Sequence, residues 1–151
     1  MARTAVRQTG LAASLLLGAL VAASAVPARA AESYRVIVHS SNTATSLSRE
    51  QIARYFLKKV PSWPSGKSVM AVDQVKDSAV RDAFSRDVLK KSVAQVDAYW
   101  HQQIFSGRSV PPVEKAGDPA VVAFVEGNEG AIGYVSARAS VGDAKVVNVI
   151  Q

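Results

Sequence analysis

Cysteine is absent from the 151 residues, and histidine is limited to His39 and His101. Without cysteine there is neither a disulfide framework nor a thiolate metal site, so stability in an oxidising compartment must come from packing. Neither histidine sits in a His-Glu-x-x-His or paired-His arrangement, which leaves acid–base and metal chemistry without a usual constellation. The Gly-x-Ser-x-Gly elbow does not occur, and Gly127, Gly130 and Gly133 are spaced wrongly for a dinucleotide fingerprint. Ser65-Gly66-Lys67-Ser68 imitates the end of a phosphate-binding P-loop, but the earlier glycine it requires falls on Pro61. No catalytic residue, metal or cofactor is expected.

A membrane-length apolar run is missing as well. The stretch from Leu11 to Ala23 is shorter than the ~20 residues that a span needs. Arg3 and Arg7 precede it and Ala28-Arg29-Ala30 follows, the pattern of a secretory signal peptide cleaved after Ala30. The arginines are not adjacent, so a twin-arginine signal is not indicated, and no cysteine follows to carry a lipid. Removing residues 1–30 takes away three arginines and no acidic residue, so the formal charge falls from +6 to 6 − 3 = +3. A surplus of that size is an ordinary solvated surface, and nucleic acid is not expected as a partner. Lys58-Lys59 and Lys90-Lys91 read as positive charges near helix ends, complementing exposed carbonyls. Residues 31–151 number 151 − 30 = 121, enough for one domain with a core but not for two lobes.

Local signals are dense in this part. Val36, Ile37 and Val38 mark a buried strand over Arg35–His39, and a second is expected over Ser68–Val72. Ser48 with Gln51 forms a capping box, with Leu47 placed to staple onto Ile52; Ile52, Tyr55 and Phe56 share one helix face, and Pro61 stops the helix. The strand–helix–strand order predicts a right-handed crossover. Asp77 or Ser78 caps the next helix, in which Val80, Phe84 and Val88 recur every four residues. Ser92 and Gln95 form another capping box ahead of an apolar stripe of Val96, Tyr99, Trp100 and Ile104, with Gly107 closing the helix. Asp118-Pro119 opens a short helix through Val125, closed by Gly127, and strands are expected at Ala131–Val135 and Lys145–Ile150. The pattern is α/β, with helices on both faces of a small sheet.

The segments SREQIARYFLKKVPSWPSG, VDQVKDSAVRDAF and EGNEGAIGYV, in that order, resemble the phosphate-type periplasmic solute-binding proteins of ABC importers. Trp63-Pro64-Ser65-Gly66 is similar to the family's Trp-containing turn, and Gly130-Ala131-Ile132-Gly133-Tyr134-Val135 to its Gly-x-Ile-Gly-Tyr-Val strand. The resemblance implies a single periplasmic-binding-protein-like (type II) lobe, a small mixed sheet flanked by helices, without catalysis. It also implies a periplasmic protein, a phosphate or related oxyanion as ligand, and an ABC transporter permease as partner. An envelope protein is the partner if the solute has been lost.

The resemblance also places a ligand segment. Where the family carries an arginine and then Asp-Gly-Ser-Gly-Thr, this chain has Asp73-Gln74-Val75-Lys76-Asp77-Ser78-Ala79-Val80. Asp73 falls at or near the arginine position, Ala79 replaces the glycine that permits close backbone approach, and Val80 lacks the threonine hydroxyl. The N–H groups of Ala79, Val80 and Arg81 beside the Ser78 hydroxyl still make a helix N-terminus that favours an anion, with Lys76 or Arg81 as a cation. The alternative is that Ser78 or Asp77 merely caps the helix. A second contact is expected from the polar loop Ser40-Ser41-Asn42 after the first strand, because open α/β sheets bind beyond the carboxyl ends of their strands. Arg108, after Gly107, is a further candidate anion clamp.

Overall fold

A computed structural model describes residues 33–151; the expected signal peptide lies outside the described residues. In chain order the elements are β1 (Tyr34–Val38), β2 (Ser46–Ser48), α1 (Arg49–Phe56), β3 (Met70–Gln74), α2 (Ala79–Phe84) with a π-helical continuation (Ser85–Leu89), α3 (Val93–Phe105), β4 (Val113–Lys115), α4 (Asp118–Glu126), β5 (Ala131–Ser136) and β6 (Lys145–Ile150). No helix among the described residues is long and apolar enough to cross a membrane.

The capping signals act where the sequence places them. Ser48 and Ser92 each accept from the N–H three residues on, and Gln51 and Gln95 reach back to the cap N–H, closing both capping boxes. Of the two candidates for α2, Ser78 is the cap, its hydroxyl accepting from the Arg81 N–H. Gly107, at φ +64, follows the Ser106 C-cap of α3 in the left-handed conformation that a helix end favours. Ile104 departs from expectation: it lies half-exposed near the end of α3 instead of in the core.

The six strands form one mixed sheet in the order β2-β6-β1-β5-β3-β4. β1 is antiparallel to β5 and β6, whereas β2 is parallel to β6 and β3 is parallel to both β5 and β4. Among the described strands β1 therefore runs against the other five. The expected right-handed crossover from β1 to β3 does not form, because those strands point in opposite directions. The short strand β2, unmarked by any apolar run in the sequence, reverses the chain first, and α1 then connects β2 to β3.

Alternation along the strands divides the core into two layers. Val36, Val38, Ile132 and Tyr134 face α1, α2 and α3, packing with Ile52, Phe56, Phe84 and Trp100. Ile37, Val72 and Val135 face the other way onto Val121, Val122 and Val125 of α4. Tyr134 stacks on Phe84, with ring centroids 3.9 Å apart and 7° between planes, which anchors α2 over β5.

Gly133 sets how closely α4 approaches the sheet. A Cβ there would lie 2.7 Å from Val72 Cγ1 and 2.9 Å from Val121 Cγ1. Gly133→Ala should accordingly destabilise the domain by about 1–3 kcal/mol, the usual penalty for overpacking a core. Urea unfolding followed by circular dichroism checks this, and an unchanged midpoint would mean that α4 lifts off the sheet freely.

Candidate functional site

The strand directions decide which candidate residues meet. Ser40, Ser41 and Asn42 follow the carboxyl end of β1, where Val38 stands opposite Ile132 and Lys145 at the starts of β5 and β6. Asp73 and the Ser78-Ala79-Val80-Arg81 segment lie at the carboxyl end of β3, which runs the other way. The two halves expected to share a ligand thus sit at opposite ends of the sheet. The Ser40–Asn42 loop is occupied locally: Ser41 Oγ is 2.8 Å from His39 Nδ1, Asn42 Oδ1 accepts from the Ala44 N–H at 2.9 Å, and Lys145 Nζ donates to the Asn42 carbonyl.

Asp73, Ser78 and Arg81 do come together, but as an internal network. Arg81 is 2% exposed, and its Nη2 lies 3.4 Å from Asp73 Oδ2. Its Nη1 donates to Glu114 Oε1 on β4 at 2.6 Å and to the Gln74 carbonyl at 2.5 Å. Asp73, also buried, accepts from the Tyr134 hydroxyl and from the Gln74 N–H. The Gln74 side chain ties three elements together: Nε2 donates to Asp118 Oδ1 at 2.9 Å and to the Tyr134 carbonyl at 3.2 Å, while Oε1 accepts from the Ser78 hydroxyl at 2.8 Å. Arg81 Nε remains without a hydrogen-bond partner among the described residues.

The network occupies two of the expected site residues, Asp73 and Arg81. Asp73, which falls at or near the family's arginine position, faces the Arg81 guanidinium, and Arg81 directs its charge to Asp73 and Glu114. Burial pushes the Asp73 carboxyl above its ordinary value, against the pull of Arg81 and the Tyr134 hydrogen bond. Burial also works against the Arg81 charge, but Asp73 and Glu114 outweigh it and hold the guanidinium protonated. Burial first, and then the Asp73 charge and hydrogen bond, push the Tyr134 hydroxyl far up, so it stays a donor. Lys76, the other candidate cation, is exposed and pairs with Asp97 at 2.6 Å. Ala79 and Val80 form the first turn of α2, with Ala79 exposed and Val80 buried in the core. Arg108 is exposed beyond α3, with its N–H on the Gln103 carbonyl at 3.0 Å.

Gln74, Glu114, Tyr134 and Asp118 were not singled out from the sequence as site residues. Two adjacent polar residues, Asp73 and Gln74, closing an apolar strand were the available signal, since buried polar groups require partners. Glu114 had none, because β4 is a three-residue strand with little apolar character. Removing one member of a buried ion pair leaves the other uncompensated. Arg81→Ala should therefore lower stability by about 3–5 kcal/mol, and adding Asp73→Asn should give a double variant less damaged than the sum of the singles. A double-mutant cycle by chemical denaturation reads the coupling, and strict additivity would show that the pair does not interact.

No family model matches the chain, and no curated protein matches it. Solved structures do. A crystal structure described as a candidate phosphate ABC transporter substrate-binding protein from Clostridium perfringens, with bound phosphate, is 24% identical and superposes with a TM-score of 0.60, covering 77% of this chain and 44% of that one. An ABC-type phosphate transport receptor from Vibrio cholerae is 17% identical, with a TM-score of 0.59 and coverage of 77% and 45%. PstS from Borrelia burgdorferi is 13% identical, with a TM-score of 0.60 and coverage of 77% and 46%. The chain spans a little under half the length of each of these three proteins. It shares the fold of phosphate-type substrate-binding proteins over that part, a single compact α/β unit.

Proposed function

We propose that this chain is a noncatalytic, exported binding domain on the substrate-binding-protein fold, acting through contacts with an envelope protein instead of capturing free phosphate at the start of α2. The observation that carries this reading is the neutralised guanidinium of Arg81. An anion at the N-terminus of α2 would meet the Ser78 hydroxyl already shared between Gln74 and the Arg81 N–H, and a cation already facing Asp73 and Glu114. To recruit Arg81, the anion would have to displace two internal carboxylates. Exposed apolar side chains support a role in contacts: Phe105 is 95% exposed at the end of α3, and Val110 and Val113 are exposed leading into the edge strand β4. Export to the periplasm rests on the pattern of residues 3–30 and on the shared fold.

Oxyanion binding keeps one observation in its favour, the phosphate held on the same fold by the C. perfringens protein. Calorimetric titration separates the readings. With phosphate or sulfate up to about 1 mM, the expected outcome is no saturable heat, meaning binding weaker than roughly −4 kcal/mol. A micromolar phosphate response, weakened by Ser78→Pro in a folded variant, would reinstate α2 as the solute site. A photo-crosslinker replacing Phe105 in cells of the native host should join the protein to a discrete envelope partner, and a crosslink lost with Val110→Glu would confirm the surface.

A further inference from the structure

Away from the Arg81 network, a cavity of about 660 Å³ lies along α1, between that helix, the π-helical turn after α2 and Gln151. This size falls within the ~300–1,000 Å³ range of small-molecule sites. Its apolar lining residues are Ala53, Leu57, Val88 and Leu89, of which the last three are mostly buried and show only their edges. Around it stand five cations, Arg49, Arg54, Lys59, Lys90 and Lys91, against one lining side-chain carboxylate, Glu50.

Internal pairing absorbs only part of this charge. Arg49 binds Asp87 at 3.1 Å and Lys90 approaches the same carboxylate at 3.7 Å. Among the described residues Arg54, Lys59 and Lys91 make no ion pair. Complementing helix-end carbonyls explains a cation at Arg54 and Lys90. It does not explain why cations distant in sequence converge around one apolar cavity, where each raises the electrostatic cost of the others.

Two backbone features lie in the same wall. The turn over Ser85–Leu89 is π-helical, a geometry that recurs at functional sites. Lys90, which ends it, is left-handed at φ +54, a position where glycine or asparagine is the ordinary choice. Glycine there would relieve the strain but would remove a cation from the rim.

We propose that this cavity binds a small anionic amphiphile, a phosphate monoester held by Arg54, Lys59 and Lys91 with its aliphatic part against Leu57, Val88 and Leu89. Three cations without an ion pair among the described residues suit a dianionic headgroup better than a single carboxylate. Among the described lining residues no aromatic ring is present to stack a nucleobase, which disfavours a nucleotide. The headgroup chemistry is shared by a free phosphorylated amphiphile and a membrane lipid; the cavity's size favours the monomeric form. The site lies apart from the β3–α2 network and does not depend on the phosphate titration above.

The test is calorimetry on the purified protein with four probes: monomeric dihexanoyl phosphatidic acid, dihexanoyl phosphatidylcholine, inorganic pyrophosphate, and vesicles of phosphatidylcholine containing phosphatidic acid. Saturable binding of the monomeric acid with Kd of about 10–100 μM is expected, with pyrophosphate at least about tenfold weaker and the choline lipid silent. Lys59→Glu combined with Lys91→Glu should weaken the acid at least about tenfold while circular dichroism and Tm report an intact fold. Absence of saturable heat, equal affinity for pyrophosphate, binding to vesicles alone, or an unaffected double variant would each overturn the assignment.

Discussion

A guanidinium taken out of water must be neutralised where it lies, and at Arg81 this requirement organises one whole end of the sheet. Asp73 of β3 and Glu114 of β4 supply the negative charge, the Tyr134 hydroxyl of β5 donates to Asp73, and the Gln74 side-chain amide donates to the Tyr134 carbonyl. Desolvation of the ions is several kcal/mol per group, so the arrangement persists because all of these partners are present together. The same contacts hold α2 against β3, join β4 to the sheet edge and fix the start of α4 through Asp118. A ligand site built from these residues and a structural network built from them draw on the same charges.

The direction of β1 is the second constraint. With β1 antiparallel to its neighbours, its carboxyl end points away from those of the other strands, and the sheet acquires two chemically distinct ends. One holds the Arg81 network. The other holds the Ser40–Asn42 loop, the Lys145 contact and the turn where Trp63 Nε1 donates to the Gly130 carbonyl at 2.9 Å. The rule that α/β sheets bind beyond their strand ends presumes strands that agree in direction. A strand of opposite sense between β5 and β6 removes that premise for β1.

The cations around α1 follow the same electrostatics under different burial. Lys59 and Arg54 are exposed, so water screens their repulsion and internal carboxylates are not obligatory. Arg81, nearly without access to solvent, has no such relief. Among the described residues, Arg54, Lys59 and Lys91 at the surface cavity keep their charge without internal carboxylates, whereas Arg81 in the interior is neutralised where it lies.

Short-range features were legible in the chain. Ser48 with Gln51, Ser78, and Ser92 with Gln95 start helices because a cap interacts only with backbone three or so residues away, and Pro119 suits the first turn of α4 because its fixed φ is already helical. The apolar runs around Ile37 and Ile132 become the central strands because burial follows from composition over a few residues, and the α/β class follows from their order. Strand direction, the pairing of β2 and β4, and the union of Arg81 with Glu114 were not legible, because each depends on segments dozens of residues apart meeting in one register. Lys59 and Lys91 likewise look like isolated helix-end charges until α1 and the π-helical turn pack side by side. Where elements begin and which faces they bury are matters of local free energy, and neighbouring residues along the chain set them. Tertiary structure alone decided which charges face one another, since Coulomb energy and desolvation depend on distances through space rather than along the chain.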